Sequence, residues 1–467
     1  MAFFLGVSGR IDVLLVAQII PNIIGSMISG GAGELLVTKS NIDHESNSKY
    51  VTQYTFLTVV IISIVLCGYW LSIPIFNDLL EVKKNDHYLF LNLTFLLILS
   101  KVFGSIVSCL QQLLYLKNLY KKFIFISLFS ELIGILVILS NVRENEILAF
   151  AYGILVTSIL NATLFFIVHK LPIFSIFDIN SWKENWLDLI QHFKKIFTLS
   201  IQTLINHTSS FWERIISYKF LQAGYLSALN YSRSLTELPK MAFLSSVLTT
   251  SYIEQNKRRQ SSHEQYQSYS RKVDVLLNET GFFFQVVSML LSPIILVVFF
   301  KRGAFDRHDL EITLGIYQIF ILGFLPGLMF NFLTRTMFIE AEMKRLFWVF
   351  VFKTTFEILF MTLFIEYFAQ AIPIVLTISK YIFVFYLYYF LTKKNSDIFN
   401  RKKSIKLYLI AIISSLLIYW INRVFVHNIL SLSIFDLFLY YSPILFLILI
   451  ASFYFLKNIK RKIKGVN

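Results

Sequence analysis

The chain has 467 residues, 56% of them hydrophobic and only 15% charged, with a mean hydropathy of +0.65. Apolar runs long enough to cross a bilayer recur from end to end, which excludes a water-soluble enzyme and marks a polytopic membrane protein. The formal charge of +15 does not point to nucleic acid. Lysine and arginine sit in short clusters between apolar runs, where they record membrane orientation.

In chain order, about 13 spans are predicted, at roughly 11–29, 55–76, 88–116, 123–140, 147–168, 196–221, 225–252, 275–300, 312–334, 346–366, 371–391, 405–425 and 433–456. The first carries Asp12 near its start and Pro21-Asn22 within it, and Gly30, Gly31 and Gly33 follow it. A lipid-facing helix tolerates such interruptions poorly; a bent helix lining water or protein does not suffer from them. The connections alternate in charge. The set beginning with 30–54 and ending in the tail from Lys457 holds roughly four times as much lysine and arginine as the opposite set, which assigns a cytoplasmic C-terminus. With an odd number of spans the N-terminus then lies outside.

The basic segment 169–195 mixes Trp182, Trp186, Phe193 and lysines, a composition suited to an amphipathic helix on the cytoplasmic surface. It divides the chain into an N-terminal helical lobe (1–168), the linker (169–195), a C-terminal helical lobe (196–391), and two further helices with a basic tail (392–467). The other long connection, 254–274, is also basic and is expected to be a cytoplasmic loop. Cys67 and Cys109 fall inside spans and read as small apolar side chains.

Ionisable residues inside spans persist only if paired, hydrated or useful. Lys353 and Glu357 stand four apart on one helical face and are expected to neutralise each other. Lys219, Lys240 and Lys380 are expected to snorkel to the interface, whereas Lys101 lies mid-span. The span 196–221 holds Gln202, Asn206, His207, Glu213 and Arg214, too polar to face lipid. The next carries Arg233, Glu237 and then Pro239. This polar pair of helices suits a hydrated cavity in a transporter that alternates its access. No metal-ligand, phosphate-loop or nucleophile-elbow motif is present, so an enzyme is not expected.

Three stretches carry a family resemblance. The opening GVSGRIDVLLVAQIIPNIIGSMISGGAGELLV, the segment AGYLSALNYSRSLTELP at 223–239, and FFKRGAFDRHDLEIT at 299–313 resemble, in order and spacing, the MviN/MurJ-type lipid II flippases of the multidrug/oligosaccharidyl-lipid/polysaccharide exporter superfamily. The resemblance implies an all-α bundle of two lobes around a central hydrated, cationic cavity. It also implies 14 helices, so the family's first helix is missing here, through a misplaced start or a truncation. The implied activity is export of an undecaprenyl-diphosphate-linked saccharide across the bacterial inner membrane. Expected partners are that lipid, the bilayer and glycan-synthesis enzymes. No cofactor is implied beyond a coupling cation, H+ or Na+.

Carried onto this sequence, the resemblance places Arg233, Arg214, Lys101 and Asp12 at the diphosphate, Glu213 at the coupling cation, and Pro21, Asn22, Gly30, Gly31 and Gly33 in shaping the first helix. Asp12 is expected to cap that helix at the outer mouth. The departures are specific: the arginine after the Pro-Asn pair is replaced within Gly25-Ser26, the acidic residue before the glycines within Ser29-Gly30-Gly31, and a third family arginine falls on Ser234, one residue from Arg233. These changes leave a capsule or O-antigen repeat unit as an alternative cargo to lipid II. A membrane-embedded polymerase and a scaffold of glycan synthesis are the other classes the composition admits.

Overall fold

The structure is a computed structural model, and it describes residues 6–23, 25, 46–80, 87–116, 120–142, 146–169, 190, 204–205, 207–301, 304–394, 399, 401–431 and 441–443. Every regular element among them is helical. Seven described helices are long and apolar enough to cross a membrane, and a bent pair supplies an eighth span. The predictions for Gly30, Gly31, Gly33, most of 169–195 and most of 433–456 lie outside the described residues. The chain forms two compact units, Ser8–Gly224, and Met1–Val7 together with Tyr225–Asn467.

The N-terminal unit begins with α1 (Gly9–Ala17), buried continuously from Ile11 to Ala17. It ends at the residue whose carbonyl Pro21, lacking an N–H, cannot use, and helix resumes at 19–23. Ser8, not Asp12, occupies the N-cap position, and Asp12 sits a full turn inside, too deep to reach the free N–H groups of its own helix. Then come α2 (Ser46–Leu80), α3 (His87–Leu116), α4 (Tyr120–Asn141), α5 (Glu146–His169) and α6 (207–220). Helices α4 and α5 cross at a pair of glycines. A Cβ on Gly134 would lie 3.0 Å from the Gly153 carbonyl oxygen, and one on Gly153 2.9 Å from that of Gly134. With no hydrophobic drive between helices in lipid, such backbone approach supplies the packing that holds them together.

The C-terminal unit is built from interrupted helices. Helix α7 (Tyr225–Pro239) gives way at Pro239 to a single wide π turn, Lys240–Leu244, before α8 (Ser245–Ser261). The proline ring excludes the carbonyl four residues back, and the wider turn absorbs the misfit. The expected loop 254–274 is instead helical: α8 and α9 (His263–Leu290) are separated only by Ser262 in extended conformation. Buried Tyr266, Tyr269, Ser270, Val273, Asp274 and Leu277 recur at helical spacing there, so the amphipathic pattern extends the helix beyond the apolar stretch. Ser292-Pro293 then starts a separate α10 (Ser292–Phe300), with proline tolerated in the first turn.

Helices α11 (Arg307–Leu322) and α12 (Phe324–Ile339) meet at Gly323 with a bend of 43°. The backbone groups this bend frees are taken up from both sides. Thr377 and Tyr381 of α14 (Ala371–Lys394) donate their hydroxyls to the carbonyls of Ile319, at 3.0 Å, and Leu322, at 2.8 Å. Gln285 of α9 accepts the Leu325 N–H at 3.2 Å. Helices α13 (Met343–Phe364) and α15 (Arg401–Ser431) complete the unit.

Candidate functional site

The opening residues and two motif stretches come together at one end of the C-terminal unit. Phe305 stacks on Phe300 with ring centroids 4.9 Å apart, and Tyr231 packs on both. The Tyr231 hydroxyl donates to the carbonyl of Gly6, whose φ of +60° and whose approach to Ala304 admit no side chain: a Cβ there would lie 2.6 Å from the Ala304 oxygen. Tyr231, Phe300 and Phe305 of these motifs therefore build structure.

The charged residues of the same unit are arranged differently. Helix α7 presents Arg233 and Glu237, the π turn adds Lys240, α13 adds Lys353 and Glu357, and α14 adds Lys380. Arg233, Lys240, Lys353 and Glu237 are the charges that bear on Lys380. Two of these cations have partners at contact distance: Lys240 pairs with Glu237 at 2.6 Å, and Lys353 with Glu357 at 2.7 Å. Glu357 is buried and also accepts the Ser379 hydroxyl. The expected i,i+4 neutralisation of Lys353 is thus present. Lys380 does not lie near a helix end, where snorkelling is expected, and Lys240 is held against Glu237. Lys380 is the tenth residue of the 24 in α14, and its stem lies along α12, where a Cβ on Gly327 would be 3.5 Å from Lys380 Cδ and 3.8 Å from Nζ. Among the described residues no carboxylate lies within 4 Å of Lys380 Nζ.

Arg233, Lys240, Lys353 and Lys380 are thus gathered with the carboxylates of Glu237 and Glu357 among these helices. The surroundings are aromatic: Arg233 lies 5.5 Å from the Phe320 ring centre, and Lys353 Nζ 5.8 Å from that of Phe330. Insertion of one Lys or Arg at the centre of a bilayer costs about 2.5–3.5 kcal/mol.

In the N-terminal unit the predicted site residues are engaged with backbone. Asp12 is buried, and its carboxylate accepts the Gly224 N–H at 2.7 Å. Arg214 donates to the Leu15 carbonyl at 2.9 Å, which ties α6 to α1. Neighbouring Glu213 is buried. Lys101 runs its stem over Gly25, where a Cβ would lie 3.3 Å from Lys101 Cδ. Pro21 and Asn22 lie in the helical turn after α1, and Asn22 N–H bonds the Gln18 carbonyl at 3.0 Å. Arg233, the remaining predicted anion ligand, belongs to the other unit. Ser234, where the resemblance expects arginine, is exposed and donates its hydroxyl to the Asn230 carbonyl.

A family model described as "Lipid II flippase MurJ" matches residues 1–440. The chain belongs to the MurJ lipid II flippase family. A solved structure of lipid II flippase MurJ in an inward closed conformation shares 20% identity with it, covering 92% of this chain and 95% of that one, with a TM-score of 0.67. An inward-facing multidrug resistance MATE family transporter of the MOP superfamily shares 10% identity over 85% of this chain and 93% of its own, with a TM-score of 0.66. A search of curated proteins gave no match. At these identities the structural likenesses establish the fold alone. Within this MurJ-family chain, sequence reasoning missed the joint arrangement of Lys240 and Lys380.

Proposed function

We propose that the protein moves an undecaprenyl-diphosphate-linked saccharide from the inner to the outer leaflet of the bacterial inner membrane, by alternating access. The observation that carries this reading is the gathering of four cationic side chains, Arg233, Lys240, Lys353 and Lys380, within the apolar helices of the C-terminal unit. A diphosphate diester is dianionic and suits a cationic cluster, in which Arg233 supplies a planar guanidinium fork for two phosphate oxygens. Lys380 and Lys240 contribute as point charges. Within the N-terminal unit, Lys101 supplies a cationic contact of its own, while Arg214 and Asp12 hold α6 and the turn after it in place. The polyprenyl tail stays in lipid throughout. Glu213 serves as the coupling-cation site for H+ or Na+, and the membrane potential acts on the cationic cluster with about 2.3 kcal/mol per charge per 100 mV. The C-terminus is cytoplasmic in this reading.

The test uses the purified protein in proteoliposomes loaded with a fluorescent undecaprenyl-diphosphate saccharide, read by accessibility to an external quencher. The wild type should equilibrate the leaflets, and the Arg233→Ala, Lys380→Ala double variant should slow this at least about tenfold, the equivalent of about 1.4 kcal/mol. Wild-type rates in the double variant would sink the site assignment. Mass spectrometry of lipids from cells lacking the gene then identifies the cargo. Trapped lipid II makes it a peptidoglycan precursor, a trapped capsule or O-antigen unit makes it a surface polysaccharide, and no trapped lipid would favour the scaffold.

A further inference from the structure

A second polar site lies away from the cationic cluster. In the C-terminal unit a half-open cavity of about 280 Å³ is lined by Glu311, Gln318, Gln370, Tyr419, Asn422 and Arg423. These residues come from α11, between Glu311 near its start and Gln318 in its second half, from the connection before α14 and from the far part of α15. The span alternation read from the sequence places all three on the outer side.

The orientation of the two buried amides follows from a chain of hydrogen bonds. The Met289 carbonyl can only accept, and it takes both the Ser292 hydroxyl at 2.9 Å and the Asn422 side-chain N–H at 3.0 Å. Ser292 Oγ has spent its proton there, so it can only accept, and Gln318 must present its N–H to it, at 2.9 Å. Both amides therefore turn their nitrogens into the break between α9 and α10. Their carbonyl oxygens are left for the cavity side, and among the described residues neither oxygen has a donor. Gln318 and Asn422 are themselves 3% and 6% exposed, so these acceptors are held rigidly by packing.

The wall thus offers fixed acceptors from Gln318 and Asn422, a carboxylate from Glu311, both amide functions of Gln370, and the aromatic ring and hydroxyl of Tyr419. A ligand that satisfies it carries several O–H donors. A cation is disfavoured, because Glu311 is paired with Arg307 at 3.2 Å and Arg423 adds a further positive charge. Gly315 keeps the space open, since a Cβ there would lie 3.2 Å from Gln370 Nε2. The volume is at the lower end for small-molecule sites, about 300 Å³, which suits one ring and not a chain.

We infer that this cavity binds one neutral pyranose unit of a saccharide on the outer face of the protein. The inference deepens the export reading, and rests on it for the origin of the sugar, while the chemistry of the wall stands alone. The test is saturation-transfer NMR on the full chain in lipid nanodiscs, free of sugar detergents, with glucose, galactose and N-acetylglucosamine as probes and linear mannitol as control. At least one pyranose should receive saturation above mannitol. Gln370→Leu and the cavity-filling Gly315→Leu should each weaken that signal about tenfold in protein whose melting temperature matches the wild type, and Asn422→Leu should do the same where it folds. No pyranose signal above mannitol, or an undiminished signal in Gly315→Leu and Gln370→Leu, would overturn the inference. Proteoliposomes keep the two readings apart. Wild-type protein that binds sugar but fails to equilibrate the lipid removes the export reading and leaves the pocket standing, whereas export without sugar binding removes the pocket alone.

Discussion

The two units use polar residues within apolar helices in opposite ways. In the N-terminal unit Asp12 and Arg214 are spent on backbone groups, the Gly224 N–H and the Leu15 carbonyl, and α4 meets α5 through bare glycine backbone. In the C-terminal unit the helices are broken at Pro239, Leu291 and Gly323, and four cations gather on α7, α13, α14 and the π turn. The first pattern stabilises the fold, while the second holds charge for something else. Substitutions should therefore lower stability in the N-terminal unit and lower transport in the C-terminal one.

The largest effect is expected from Gly153→Leu. Its side chain would collide with the Gly134 carbonyl and with Ile138, whose Cγ1 lies 2.4 Å from the Cβ position, so α4 and α5 must separate. Loss of most folded protein in size-exclusion profiles is the expected outcome, since overpacking of this kind costs about 1–3 kcal/mol or more. The matching change in the other unit, Gly323→Ala, meets the Thr377 hydroxyl at 3.1 Å, a side chain that can shift, and should be milder. Equal loss in both would erase the contrast.

Arg214→Ala comes next. It leaves the buried Leu15 carbonyl without its donor, at a cost of about 1–3 kcal/mol, visible as a lowered melting temperature. Arg233→Ala and Lys380→Ala should leave the melting temperature unchanged or raise it, because they remove like-charge repulsion. A fall in stability as large as that of Arg214→Ala would place these cations among the structural residues.

Asp12→Asn should cost less, about 1 kcal/mol, because an amide oxygen still accepts the Gly224 N–H but without charge assistance. The smallest effect belongs to Glu342, on the turn between α12 and α13. Its hydrogen bond from Lys394, at 2.7 Å, holds its carboxyl below the usual glutamate range, with Arg345 helping and slight desolvation opposing. A depressed carboxyl stabilises the fold above its unfolded pKa and loses that contribution as pH falls through the lower folded value. The stability difference between wild type and Glu342→Gln, followed by melting from neutral pH down into the acid range, should be under about 1 kcal/mol at neutral pH and vanish in acid.

What the sequence disclosed was mainly local. The spans follow from apolar runs, the Lys353–Glu357 pair from spacing of four, and the interruptions near Pro21 and Pro239 from proline's missing N–H. Composition alone mistook 254–274 for a loop, because its charges mask an amphipathic period that continues the helix. Lys380 was unreadable as part of a cluster: its neighbours lie on α7, α13 and the π turn, and only packing brings them together. The Ser292, Gln318 and Asn422 set joins three distant segments, each with a single unremarkable polar residue. Asp274, buried on α9 with Tyr388 and Asn278, escaped notice for the same reason.

The bend at Gly323 has a mechanical consequence. Its freed carbonyls and N–H are gripped by Thr377, Tyr381 and Gln285, so straightening α11 and α12 would break all three bonds at once. The elbow works as a clamped bracket rather than a joint. In the export reading proposed above, the wide turn after Pro239 is one place left for shape change, and a swing there carries Lys240 with it, so that moving part and part of the anion's grip are the same few residues.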